Sequence, residues 1–439
     1  MEGERKTLTQ LSVPICLETL FYMLSGMVDT LMLSSVSDQA VGAVGTANTY
    51  IGVFIIMFGV ISSGMVAVMS QNIGAGKPGI AYQARQLGLV FNALTGILMS
   101  FILAAFSGWI LKIVSIAPAL LEPAETYLKI VGGASFLNAL IPIFSSYLRV
   151  FGYTKHSLIG TVVGNVINII LNSVFLFVFH WGVMGVATAT VISKVVNLII
   201  VAAIGAVLIK AKQSPERAQP RRILAQIVKI GFPSAFETAL YNVAMTFIVC
   251  FMNHMDTDGM NVTARSYAMQ IANFSYCVGA ALAQANAIMT GWRIGAKKYE
   301  ECDRGTRKAV IYGLVTATCF SVTFAITGRF IVHIFTNDIQ MIELVVKLLV
   351  VDIFLEFGRV TNLVYGQALK TSGDAIFPVI MGAIFMYLFA VGGTYFLGIH
   401  MGLLAVGAYI AMAGDECARA VGMVIRWKSG KWKSKSLVE

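Results

Sequence analysis

Val13 to Asp29 read VPICLETLFYMLSGMVD, an apolar helix that carries two acids, Glu18 and Asp29. An acid at bilayer depth costs about 2.5–3.5 kcal/mol on insertion scales, so a chain that keeps two on one span uses them. Their spacing of eleven residues is close to three turns at about 3.6 residues per turn, which puts both on one stripe roughly 16 Å long. Pro14, one turn before Glu18, loosens the backbone there. The same phrase then returns. Pro14-x-x-x-Glu18-Thr19-x-x-Tyr22 recurs as Pro233-x-x-x-Glu237-Thr238-x-x-Tyr241, offset by 219 residues in a chain of 439.

The rest of the chain is apolar on the same scale. It is 57% hydrophobic and 12% charged, with mean hydropathy +0.78, where a soluble domain carries about 25% charged residues. This composition describes a polytopic membrane protein. The leading MEGERKTLT is short and charged. The run behind it is too long for a signal-peptide core and lacks a small-residue cleavage site, so it reads as a retained span. Spans need about 20 apolar residues. Twelve are expected, at 10–33, 42–70, 86–112, 125–148, 157–180, 184–210, 224–252, 262–290, 307–335, 341–369, 376–397 and 402–426. The polar, basic stretch Lys210 to Arg222, KAKQSPERAQPRR, splits them six and six. The expected domains are an N-terminal bundle over 1–211, a cytoplasmic linker over 212–222 and a C-terminal bundle with a basic tail over 223–439.

The net charge of +10 reflects the positive-inside rule rather than nucleic-acid binding. Lys77, Arg85, Arg149, Lys155, the linker, Arg293 to Lys308, Lys370 and the tail Arg426 to Lys435 fall on one side. Asp38, Glu122, His180, Asp256, Asp258, Asp338 and His400 fall on the other, with Lys112 and Lys129 near span ends. The chain is therefore expected to be multi-pass in the cell membrane with both termini cytoplasmic. Six cysteines without a C-x-x-C pair and five scattered histidines support neither a zinc site nor a disulfide framework.

Three further anchors repeat. Ile73-Gly74-Ala75-Gly76-Lys77 pairs with Ile294-Gly295-Ala296-Lys297, and Leu148-Arg149-Val150-Phe151-Gly152 with Leu369-Lys370-Thr371-Ser372-Gly373. Trp181-Gly182-Val183-Met184-Gly185-Val186 pairs with Met401-Gly402-Leu403-Leu404-Ala405-Val406. An even number of spans per half makes the repeat parallel, as in secondary transporters that bind substrate between halves.

These residues resemble the multidrug and toxic-compound extrusion (MATE) family. The likeness is carried by Val28-Asp29-Thr30, Ser70-Gln71-Asn72-Ile73-Gly74-Ala75-Gly76, Leu148-Arg149-Val150-Phe151-Gly152, Asn168-Ile169-Ile170-Leu171-Asn172 and Gly231-Phe232-Pro233. It spans nearly the whole chain. The resemblance implies twelve helices in two bundles of six, exporting organic, often cationic compounds in exchange for H⁺ or Na⁺. The family's fifth span often reads Asn-x-x-x-Asp, and here Asn172 replaces the acid. A proton or Na⁺ held in the N-terminal bundle would then rest on Asp29, helped by Asn168, Asn172 and Thr190. Glu237 stands earlier than the corresponding acid of sodium-coupled members, so their C-terminal sodium site is not carried over.

Asp29 is the first candidate for coupling. A carboxylate that holds a proton or a cation, but not both, makes exchange possible. The bland alternative is a fixed pair with Lys194, which shares one face with Thr190 and Asn197. Glu18 and Glu237 are read either as matched cavity acids or as helix-start acids facing the dipole. Asp352, Glu356 and Arg359 fall at i, i+4 and i+7, where Arg359 neutralises Glu356 and leaves Asp352 to titrate, or the three merely hold helices together. Asp415, Glu416 and Arg419 stand ready to cross-pair with them. Asn165, Asn168 and Asn172 form a stripe that also reads as interhelical glue.

The function expected is a secondary antiporter, with no cofactor beyond its coupling ion, no nucleic-acid partner, and a monomeric state in the bilayer. No ATP-binding motif is visible, since Gly74 and Gly76 lack the strand and spacing of a phosphate loop. The alternative is a flippase for a lipid-linked precursor, which needs more bases than acids at membrane depth. An embedded enzyme is not expected, because the five histidines lie near span ends.

Overall fold

Without water to take their hydrogen bonds, apolar runs satisfy their own backbones as helices. The computed structural model describes residues 6–113, 116–210, 214–255 and 259–438, with Asp38 and Ile113 described by backbone alone. Among them there is no strand. The first six rods are α1 (Leu8–Ser34), α2 (Asp38–Gly74), α3 (Pro78–Ala105, followed by the short Ser107–Ile113), α4 (Pro118–Gly132 with Phe136–Val150), α5 (Thr154–Val178) and α6 (Gly182–Leu208). The second six are α7 (Pro220–Asn253), α8 (Met260–Gly295), α9 (Tyr299–His333), α10 (Ile339–Ser372), α11 (Ile376–His400) and α12 (Leu404–Lys428). The all-α fold of twelve helices in two sixes is thus what forms.

Eight rods are long and apolar enough to cross a membrane alone, and α4, bent by 42° at its break, makes a ninth. The remaining three, α8, α10 and α12, are less apolar: α10 and α12 bury Asp352, Glu356, Asp415, Glu416 and Arg419, and α8 buries Arg265 among Asn261, Ser275 and Asn286. Polar residues inside spans mark function rather than lipid contact.

The chain divides into two compact units, Leu17–Phe232 and Pro233–Glu439, with Thr7–Cys16 belonging to the second. This differs from boundaries at 211 and 223. The change of unit falls within α1 just after Pro14, and within α7 at Pro233, the repeated prolines whose missing N–H interrupts the helical ladder. Residues 211–213 of the expected linker lie outside the described residues, as do Asp256, Asp258 and the Asp38 side chain. The linker is also shorter than expected, because α7 starts at Pro220, a position where the absent N–H costs nothing. Its described part is tied to α3, where the Gln83 amide donates to Ala218 O at 2.8 Å and accepts from Ala218 N at 3.1 Å.

In the first unit the opening of α7 packs backbone to backbone on α2. A Cβ on Gly231 would stand 1.7 Å from Val60 O, and one on Gly64 would stand 2.0 Å from Ile227 O. Small residues permit this approach. Gly231→Ala is therefore expected to cost about 1–3 kcal/mol by overpacking, read as a lower Tm in detergent. Gly59→Ala, which meets nothing within 4 Å, is the control expected to hold its Tm. An unchanged Tm for Gly231→Ala would show that the two helices are not held in this contact.

Repeat mates share backbone as well as sequence. Gly152 and Gly373 close α4 and α10 with φ of 86° and 99°, a region glycine enters without cost. Inside each unit, buried amides knit the helices. Asn92 of α3 donates to Ala139 O at 3.0 Å, and Asn261 of α8 accepts from Ala405 N at 3.0 Å.

Candidate functional site

The repeat builds one device twice. Glu18 on α1 is 7% exposed and its Oε1 lies 2.8 Å from Arg149 Nη2 at the end of α4. Ser157 of α5 donates to the same oxygen at 3.0 Å, and Thr161 at 3.4 Å. In the second unit Glu237 Oε2 lies 2.5 Å from Lys370 Nζ at the end of α10. Two sequence anchors, the Pro/Glu phrase and the basic residue three places before a turn glycine, are thus the two halves of an ion pair. Neither charge can leave the other without stranding it in a place poor in water.

Deeper in the first unit, Asp29 is half-buried. Asn172 of α5 donates to its Oδ1 at 2.6 Å and lies 3.3 Å from Asn168 Oδ1. Asn172 is fully buried, and its own Oδ1 has no partner among the described residues. Tyr127 stands beside Asp29, Asn48 and Thr190. Lys194 lies within electrostatic reach of Asp29, but its ammonium donates to Asn138 Oδ1 at 2.9 Å. No direct Asp29–Lys194 ion pair forms among the described residues. The set offers a carboxylate and orphaned amide oxygen to a proton or a small cation, with no second acid. Among the described residues no group of three metal-ligating acids, thiols or imidazoles occurs anywhere.

The second unit holds a cavity of ≈ 440 Å³. Tyr241, Met245, Met269, Tyr276, Tyr409 and Met412 supply much of its wall. Its lining acids are Glu237, Asp352 and Glu416, and its lining bases are Arg265, Arg359, Lys370 and Arg419. Most of these charges are chained. Arg359 is hydrogen-bonded to Glu356 one turn away and lies 3.9 Å from Glu416 Oε1. Arg419 grips Asp415 with two bonds, of 3.0 and 2.6 Å, and reaches Glu416 Oε1 at 2.9 Å. Asn362 donates to Glu416 Oε2 at 3.0 Å. Asp352, 4% exposed, takes no part in this chain.

The residues singled out from sequence therefore separate into three places. Asp29, Asn168 and Asn172 meet; Thr190 is near them, though its hydroxyl donates to Val186 O of its own helix at 2.8 Å. Glu18, expected at a cavity, is sealed in its pair with Arg149 and does not line the second-unit cavity. Glu237, Asp352 and Arg359 do line it, while Glu356 stands behind Arg359. Sequence reading took Arg149 and Lys370 as loop charges and as matching repeat positions, not as partners of Glu18 and Glu237. It passed over Arg265 altogether, although a lone base inside the eighth apolar run is a signal in its own right.

The MatE family model matches residues 14–174 and 233–396, the two repeats in turn. The chain is 32% identical to the uncharacterised transporter YisQ of Bacillus subtilis (strain 168), over 98% of this chain and 96% of that one. It is 24% identical to the probable multidrug resistance protein NorM of Thermotoga maritima, over 99% and 94%. A crystal structure of MATE in the bent conformation superposes with a TM-score of 0.89 at 18% identity, covering 98% of this chain and 97% of that chain. With both repeats matched by the model and twelve helices in two sixes, the chain belongs to the MatE family of multi-pass membrane transporters.

Proposed function

We propose that this protein is a secondary active antiporter, exporting hydrophobic, often cationic organic compounds by alternating access in exchange for H⁺ or Na⁺. The observation that carries this reading is Asp29. It is a carboxylate in an apolar helix, held by a neutral amide and by no ion pair among the described residues. Such a group is free to take up one cation and release it for another. Ligands shift an inward–outward equilibrium only through their differential affinity for the two states, and protonation of Asp29 favours one state while drug binding favours the other. Family membership and relatives named for multidrug resistance support the reading. It places the chain in the cell membrane as a monomer with both termini cytoplasmic, needing no cofactor beyond its coupling ion.

The test is ethidium efflux from whole cells making the wild-type protein, with the proton and sodium gradients collapsed separately. One ionophore is expected to stop efflux, and the one that does names the ion. No dye movement under either gradient overturns the proposal and favours the lipid flippase.

A further inference from the structure

Arg265 of α8 is 8% exposed and lines the second-unit cavity. A guanidinium carries five donors in a fixed fork, and stripping it of water costs several kcal/mol unless the charge is matched. The three other bases on the wall are matched: Arg359 with Glu356 and Glu416, Arg419 with Asp415 and Glu416, Lys370 with Glu237. Arg265 is not. Its Nη2 makes a weak contact of 3.8 Å with Met245 Sδ, and its Nε is buried with no partner among the described residues. No carboxylate pairs with it among the described residues. Asp352 is a buried acid on the same wall that makes no direct ion pair among the described residues, with Arg359 of its own helix within electrostatic reach. Both charges line the same cavity as Tyr409.

We propose that Arg265 is an anion-accepting subsite, so that this cavity takes zwitterionic aromatic compounds, with a carboxylate on Arg265 and a cationic end toward Asp352. The guanidinium fork matches a carboxylate with two parallel hydrogen bonds. The planar body lies among Tyr241, Tyr276, Met245, Met269 and Met412, where thioethers adapt to varied shapes and rings stack. The cavity volume lies within the range of about 300–1,000 Å³ seen for small-molecule sites. The inference deepens the exporter reading and rests on it for its physiological meaning, but binding tests it without any ion gradient.

The probes are rhodamine 110, which carries a free carboxylate, and rhodamine 123, its methyl ester. Fluorescence anisotropy is read on the purified full-length protein in nanodiscs. The wild type is expected to bind rhodamine 110 about tenfold more tightly than the ester, equivalent to about 1.4 kcal/mol. Arg265→Gln is expected to reverse that order, because the carboxylate loses its partner and the cationic ester loses a like charge. Arg265→Lys keeps charge without the fork and is expected to retain a reduced preference for the acid. Asp352→Asn is expected to weaken both probes together. Equal wild-type binding, or a wild-type preference for the ester, overturns the subsite, as does an unchanged ratio in Arg265→Gln. If Arg265→Gln binds neither probe, Arg265→Lys decides: a kept acid preference supports the subsite and a lost one overturns it. Failure of ethidium efflux alongside a tenfold preference would sink the exporter reading and leave the subsite standing.

Discussion

Asp29→Asn abolishes gradient-driven ethidium efflux, down to the level of cells lacking the protein, while the variant stays folded. The substitution keeps the volume of the side chain and its ability to accept from Asn172, whose amide now lies 2.6 Å from Oδ1. One neutral hydrogen bond replaces a charge-assisted one, so stability is expected within about 1–2 kcal/mol of wild type. What disappears is the site that exchanges a proton or cation for substrate. Lys194 does not take over, because it is a cation already donated to Asn138. The measurement pairs efflux with the Tm of the purified variant. Full efflux in a well-folded Asp29→Asn would move coupling to the acids of the second unit, Glu237, Asp352 and Glu356.

The second large effect is on stability. Glu18→Gln leaves Arg149 buried against a neutral amide, and removing one partner of a buried pair costs about 3–5 kcal/mol. Ser157 and Thr161 lose the anionic oxygen they both donate to. The variant is therefore expected to unfold at a clearly lower temperature. Replacing both charges with apolar residues, Glu18→Leu with Arg149→Met, leaves no charge of the pair stranded and is expected to recover part of the loss, the Ser157 and Thr161 hydroxyls still lacking their acceptor. A Glu18→Gln Tm equal to wild type would mean that water already reaches the pair. Glu237→Gln is expected to behave in the same direction through Lys370, more weakly, because Glu237 is more exposed than Glu18.

Much of the molecule was legible before any coordinates. The Val13–Asp29 run, its return at Pro233 and the twelve apolar stretches are local facts, and a bilayer about 30 Å thick turns local facts directly into helices. The grouping of Asp29 with Asn172 came from the family resemblance, because the polar stripes alone do not say which helices meet. The repeat also aligned Glu18 with Glu237 and Arg149 with Lys370, yet it did not join either acid to its base. Similarity between positions says that two sites match, not that their members touch.

What the sequence by itself determined is the class, the span count, the repeat and the list of charges carried into the membrane, because each depends on composition over one or two dozen neighbouring residues. Only the tertiary structure decided how those charges are spent. Helix rotation and axial offset set whether two side chains lie at 2.8 Å, as Arg149 and Glu18 do, or pass each other, as Lys194 and Asp29 do. The same geometry chained Arg359 and Arg419 to carboxylates and left Arg265 on the cavity wall with no carboxylate partner among the described residues. Hydrophobic periodicity records which face of a helix turns inward, but not which neighbour it meets there.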